Sequence, residues 1–256
     1  MNYALIAAAM LVCPVPLSAQ DVIFLGETHD NPGHHKRQTE RVIAAKPRAL
    51  VFEMLTSDQA SLVTPDLVGN ADQLEQALGW ESSGWPDFSM YYPIFAAEPD
   101  AQVFGGAVPR EDARRLMSEP VQDVFGGDAA QFGLDQPLPD TQQTKREAMQ
   151  MAAHCDALPE NMLPMMVNMQ RLRDAALARA VVQAFEETGG PVAVITGNGH
   201  ARKDWGAPVI LDRVAPNLDI YSLGQGEEGV GPPDGVFDEI TFSPSVKRDD
   251  PCAAFK

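Results

Sequence analysis

Short, mainly apolar runs alternate with longer amphipathic stretches along the chain. Val22-Ile23-Phe24-Leu25, Ala49-Leu50-Val51-Phe52, Ala101 to Phe104 and Val192 to Thr196 are too short for buried helices and read as buried strands. Weaker strands are expected at Ile220 to Leu223 and at Phe237 to Phe242. Between the first two runs, the turn Asn31-Pro32-Gly33 precedes a helix over His34 to Ala45. Thr56 to Gly79 is helical in pattern, with interruptions at Pro65 and Gly69-Asn70, and another helix is expected from Pro109 to Met117. The longest helix spans Pro159 to Thr188 and stops at Gly189-Gly190. Along it Met162, Met165, Met166, Met169, Leu172, Ala176 and Ala180 recur at three- and four-residue steps and mark one buried stripe, so these methionines read as core. Glu119 to Asp140, rich in Gly and Pro, reads as an irregular insertion or lid. The β-α-β order predicts a single α/β domain, with a mainly parallel sheet flanked by helices.

The first segment changes the expected compartment. Met1 to Gln20 has no charged side chain, and Tyr3 to Cys13 is an unbroken apolar run of 11 residues, too short to span a bilayer. Leu17-Ser18-Ala19 follows as a small-residue exit, so residues 1–19 read as a secretory signal peptide and 20–256 as the mature α/β domain. The mature chain is then periplasmic or secreted. Lipid anchoring at Cys13 is disfavoured, because Met10-Leu11-Val12 offers no small residue beside the cysteine. Cleavage leaves Cys155 and Cys252, either bridged or as two separate buried thiols. The net charge of −17 lies wholly in the mature part and argues against a nucleic-acid partner, which needs a basic footprint.

Candidate chemistry follows the strands. The first run ends in Gly26-Glu27-Thr28-His29, the second in Glu53, the third in Gly105-Gly106 and the fourth in Gly197-Asn198-Gly199-His200. In an open parallel sheet the carboxyl ends of the strands form the ligand crevice, so Glu27, His29, Glu53 and His200 should converge there. Two imidazoles and two carboxylates suit acid/base work, or a metal site using His29, Glu53 and His200. His34 and His35 are adjacent on a helix, so one of them should face the crevice. Trp80, Trp85, Phe88, Tyr91 and Tyr92 form an aromatic cluster suited either to lining a flat ligand or to packing a loop on the sheet. No phosphate loop, dinucleotide fingerprint, nucleophile elbow or zinc-type cysteine pairing is present.

Gly26-Glu27-Thr28-His29-Asp30-Asn31-Pro32, with His34-His35 and Gln38, resembles the opening signature of the ChaN-like haem-binding uptake proteins, in the superfamily of Tiki proteases and erythromycin esterases. Trp85-Pro86-Asp87-Phe88 with Tyr91 and Pro93, His154-Cys155, Gln170-Arg171-Leu172-Arg173-Asp174 and Gly197-Asn198-Gly199-His200 carry the resemblance further along the chain. It implies an envelope protein of haem or iron acquisition that holds haem between two protomers and serves an outer-membrane haem receptor. It also implies a tyrosine ligand to iron, with Tyr91 first and Tyr92 second, and basic groups for the propionates; His34 and His35 join them as haem-site candidates. The wider superfamily implies instead a hydrolase, metal-assisted or Glu/His-dependent, using Glu27, His29 and His200, to which the reading of the second strand adds Glu53, and, where a metal is used, a divalent transition metal.

Overall fold

In a computed structural model, which describes residues 20–250, 252 and 253, every strand runs parallel to its neighbours. They are β1 (Val22–Glu27), β2 (Ala49–Phe52), β3 (Gln102–Gly105), β4 (Val192–Gly197), β5 (Ile220–Glu227) and β6 (Glu239–Ser243). The sheet order is β3-β2-β4-β1-β5-β6. The signal peptide and the Cys13 site fall outside the described residues.

Helices cover both faces, which is why the central strands are apolar at every position rather than alternating. Val22, Phe24, Val51, Val192 and Val194 face the Leu163–Thr188 helix, while Ile23, Leu25, Leu50, Phe52 and Ile195 face the layer that includes Phe88 and Tyr91. The Pro32–Ala45 helix joins the second layer through Val42 and Ala45. Its N-terminus is capped by Asn31, whose side chain accepts from Gly33 N.

Three elements differ from the sequence reading. Residues 56–79 break into three short helices, each begun by a capping side chain, from Thr56, Thr64 and Asn70. A helix at Phe88–Ala97 holds the aromatic cluster and carries Pro93 inside it. Another, Asp140–Ala153, shows no apolar stripe and buries one residue, Arg146. In the Leu163–Thr188 helix the fully packed stripe runs through Leu163, Val167, Leu172, Ala175, Ala178 and Val181. Met165, Met166 and Met169 lie beside that stripe and are half-buried. The Glu119 to Asp140 insertion packs Val121, Val124, Phe125, Phe132 and Leu134 into the same core layer as this helix.

Candidate functional site

The strand register fixes the site. Glu27 pairs with Gly197, and Glu53 N donates to Ile195 O, so the ends of β1, β2 and β4 lie side by side. Two of these positions require glycine. A Cβ on Gly26 would lie 2.8 Å from Leu223 O, inside van der Waals contact with backbone. A Cβ on Gly197 would lie 2.9 Å from His29 Nε2 and 3.7 Å from Glu53 Oε2, so the His29 ring and the Glu53 carboxylate meet over this residue.

Glu27 is buried at the end of β1. Its Oε1 accepts from the Tyr91 hydroxyl at 2.8 Å and lies 2.7 Å from His29 Nδ1. Its Oε2 lies 3.4 Å from His35 Nδ1, and His35 Nε2 donates to His29 O at 2.7 Å. Burial opposes a charged His29, yet the Glu27 hydrogen bond and the Glu53 and Glu27 charges raise its pKa. The His29 side chain is 35% exposed, whereas those of Glu27 and His35 are at most 1% exposed. Trp85 packs edge-on against the His29 ring, centroid to centroid 4.9 Å.

Glu53 forms the opposite wall. Its Oε2 accepts from Thr196 Oγ1 at 2.6 Å and from Gly197 N at 2.8 Å, while Oε1 faces His200 Nε2 at 3.6 Å. Burial pushes this carboxyl up, but His200, His29 and the two hydrogen bonds outweigh it and hold the pKa below the usual value. His200 stands on a single helical turn, Asn198–Ala201, that starts where β4 ends. Its Nδ1 lies 2.7 Å from Asp174 Oδ1, an aspartate from the Leu163–Thr188 helix. Burial opposes the charged imidazole, and Glu53 and Asp174 together overcome it, raising the pKa to about 9. Two imidazoles, each backed by a buried carboxylate, thus flank a third carboxylate. Beside them a crevice of about 560 Å³ is lined by Glu53, Met54, Trp85, Arg110 and Arg173.

The four residues read from the strand ends are therefore neighbours in one cluster. The residues assigned to haem by resemblance sit deeper. Tyr91 is fully buried, and burial together with Glu27 drives its phenol far above the ordinary pKa. Tyr92 donates its hydroxyl to Val68 O at 3.0 Å, and Tyr221, the remaining tyrosine among the described residues, donates to Glu239. His34 is fully buried: Nδ1 accepts from Thr28 N at 2.8 Å and Nε2 donates to Gly226 O at 3.1 Å, which defines a neutral ring, in keeping with a pKa lowered by burial. Among the described residues no group of three or more His, Cys, Asp or Glu is placed to hold a metal ion, so the expected His29, Glu53 and His200 metal site has no support. Asp174 and Thr196 were missed. An acid on the apolar stripe of the long helix was the signal for Asp174, because a buried carboxylate needs a partner.

Fold and site together define an α/β protein with a doubly supported histidine crevice at the carboxyl edge of a parallel sheet. The chain belongs to the family described as haem-binding uptake, Tiki superfamily, ChaN, which it matches over residues 15–211. It is similar in fold to the structure described as cofacial heme binding to ChaN of Campylobacter jejuni, with 19% identity, TM-score 0.64, and 84% of this chain and 85% of that one covered. A weaker similarity, with 14% identity and TM-score 0.46 over 84% of this chain and 81% of the other, is to the type III effector HopBA1. No curated protein matches the chain.

Proposed function

We propose that the protein binds haem at the strand-end crevice, as an exported component of haem or iron uptake, with His29 as the iron ligand. The observation that carries the assignment is His29 itself: a partly exposed imidazole whose Nδ1 is held by buried Glu27, leaving Nε2 over Gly197 beside Glu53, a residue of the crevice wall. A carboxylate behind an imidazole orients the ring and raises its basicity toward a metal. The rest of the crevice suits the group. Trp85 offers a flat apolar surface beside the ligand, and Arg110 and Arg173, which form no ion pair among the described residues, supply cations for two carboxylates. When bound, haem supplies an open or exchangeable iron coordination position, and the chain's own residues orient the ligand, neutralise the propionates and pack one face. Tyr91 and Tyr92 would each have to surrender an internal hydrogen bond to reach iron.

Export is supported by the Cys155–Cys252 disulfide, a bond that persists in oxidising compartments. The reading includes a second copy of the chain sharing the haem and an outer-membrane haem receptor as partners. A haemin titration followed by visible spectroscopy tests it: a saturable Soret shift supports haem binding, and a shift that grows without saturation rejects it.

A second reading rests on the paired imidazoles flanking Glu53. Ionised Glu53 accepts a proton while His200, charged at neutral pH, donates one, the division of labour that hydrolysis of a carbonyl compound needs. Glu53→Gln tests this reading, because it removes the proton acceptor and should abolish hydrolysis.

A further inference from the structure

A second cavity, separate from the crevice but adjoining the site through Asp174, lies between the insertion and three helices. It measures about 270 Å³ and is lined by Arg146, Arg171, Arg213, Trp205, Pro137 and Pro139. Arg146 is the one buried residue of the otherwise exposed Asp140–Ala153 helix, and Arg171 lies on the buried side of the Leu163–Thr188 helix. Both are 9% exposed, a placement that arginine adopts when something compensates its charge. The charges of Asp174 and Asp204 and the Trp205 ring, 5.0 Å from the Arg146 guanidinium, offset Arg146 in part, and Asp135 offsets Arg171, but none does so through a direct ion pair.

None of the three arginines forms an ion pair among the described residues, in a chain whose net charge is −17. Arg146 donates one bond, to Trp205 O at 3.2 Å, and its buried Nε has no partner. Arg171 donates to Gly133 O, Gln136 O and Asn168 Oδ1 and so holds the insertion, with Asp135 acting on its charge but forming no ion pair with it. Arg213 is exposed and has no hydrogen bond, its guanidinium lying against Gly133. The two carboxylates that line the cavity are already committed, Asp174 to His200 and Asp204 to Arg202 by two bonds of 2.6 and 2.5 Å.

We infer that this cavity is a binding site for a small organic anion, a carboxylate or phosphate held by Arg146, Arg171 and Arg213, with its carbon skeleton against Trp205 and Pro137. Guanidinium forks match both oxyanions, and a buried unpartnered one binds more strongly than its exposed equivalent. The volume of about 270 Å³ falls just below the usual range of ligand cavities, roughly 300 to 1,000 Å³, and is about half that of the crevice assigned to haem, which suits a small anion. This site does not depend on the haem reading.

The test is a tryptophan-fluorescence titration with inorganic phosphate and, separately, with succinate, at constant ionic strength with chloride as the control. A saturable change with either anion, absent with chloride and absent in Trp205→Phe, is expected, and the anion that saturates identifies the class. Arg213→Gln should weaken it about tenfold, the value of one charge-assisted bond, and Arg146→Gln at least as much. Arg213 is exposed, so its variant decides the matter if Arg146→Gln fails to fold. The inference is overturned if neither anion saturates, if chloride reproduces the change, or if Arg213→Gln binds as tightly as the parent. Haemin titration of Arg213→Gln should match the parent, so failure of this site and failure of the haem reading show separately.

Discussion

Asp174 Oδ1 lies 2.7 Å from His200 Nδ1 and so ties the Leu163–Thr188 helix to the end of β4. The contact turns the other ring nitrogen toward Glu53. With side chains 3% and 10% exposed, neither partner is solvated well enough to stand alone. The orientation of one wall of the crevice is therefore set by a residue on the far helix layer.

This pair should make stability depend on pH. The folded pKa of His200, raised to about 9, stands above its ordinary value of 6.5. Its stabilising contribution is fully present below pH 6.5 and is lost as pH rises through 9. Urea midpoints measured from pH 6 to pH 10 should fall across that window, and Asp174→Asn should flatten the fall. Asp174→Ala, which strands the imidazole, should cost about 3 kcal/mol at neutral pH. A parent midpoint that stays level up to pH 10 would show that His200 is not held charged.

Tyr91 belongs to the support of Glu27. Its hydroxyl is one of two hydrogen-bonding groups on Glu27 Oε1, inside the protein. Tyr91→Phe should destabilise the fold by roughly 1.5 to 3 kcal/mol, the range for a bond to a charged group. Denaturant unfolding checks the value, and a cost below 0.5 kcal/mol would mean that Glu27 does not need this donor.

The Cys155–Cys252 bridge joins residues 97 apart in sequence. Closing so long a loop contributes about 4.7 kcal/mol in the chain-entropy model. Reduction should therefore lower the melting temperature, and thiol titration of the denatured, unreduced protein should find neither cysteine free. Two titrating thiols from these positions would disprove the bridge.

The sheet was legible because its central strands are buried on both faces and so appear as unbroken apolar runs ending in Gly or Glu. Parallel register then carried Glu27, Glu53 and His200 to one edge without any knowledge of side-chain packing. Features set by tertiary context were hidden. Asp140–Ala153 packs through Arg146 instead of an apolar stripe, so its periodicity is silent. Phe88–Ala97 is apolar on nearly every side and contains Pro93, which reads as a loop. The direction of Tyr91 was equally hidden: residue type suggested an iron ligand, and only the packing of its helix over β1 sends the hydroxyl to Glu27.

The most direct test of the central claim compares haemin titrations of the parent, His29→Ala and Tyr91→Phe proteins, with folding of each verified by circular dichroism. His29 is partly exposed and its removal leaves Glu27 bonded to Tyr91, so the variant should fold. The account predicts a saturable Soret shift in the parent and in Tyr91→Phe, and its loss or displacement in His29→Ala. An unchanged spectrum and affinity in His29→Ala, with binding lost in Tyr91→Phe, would contradict it.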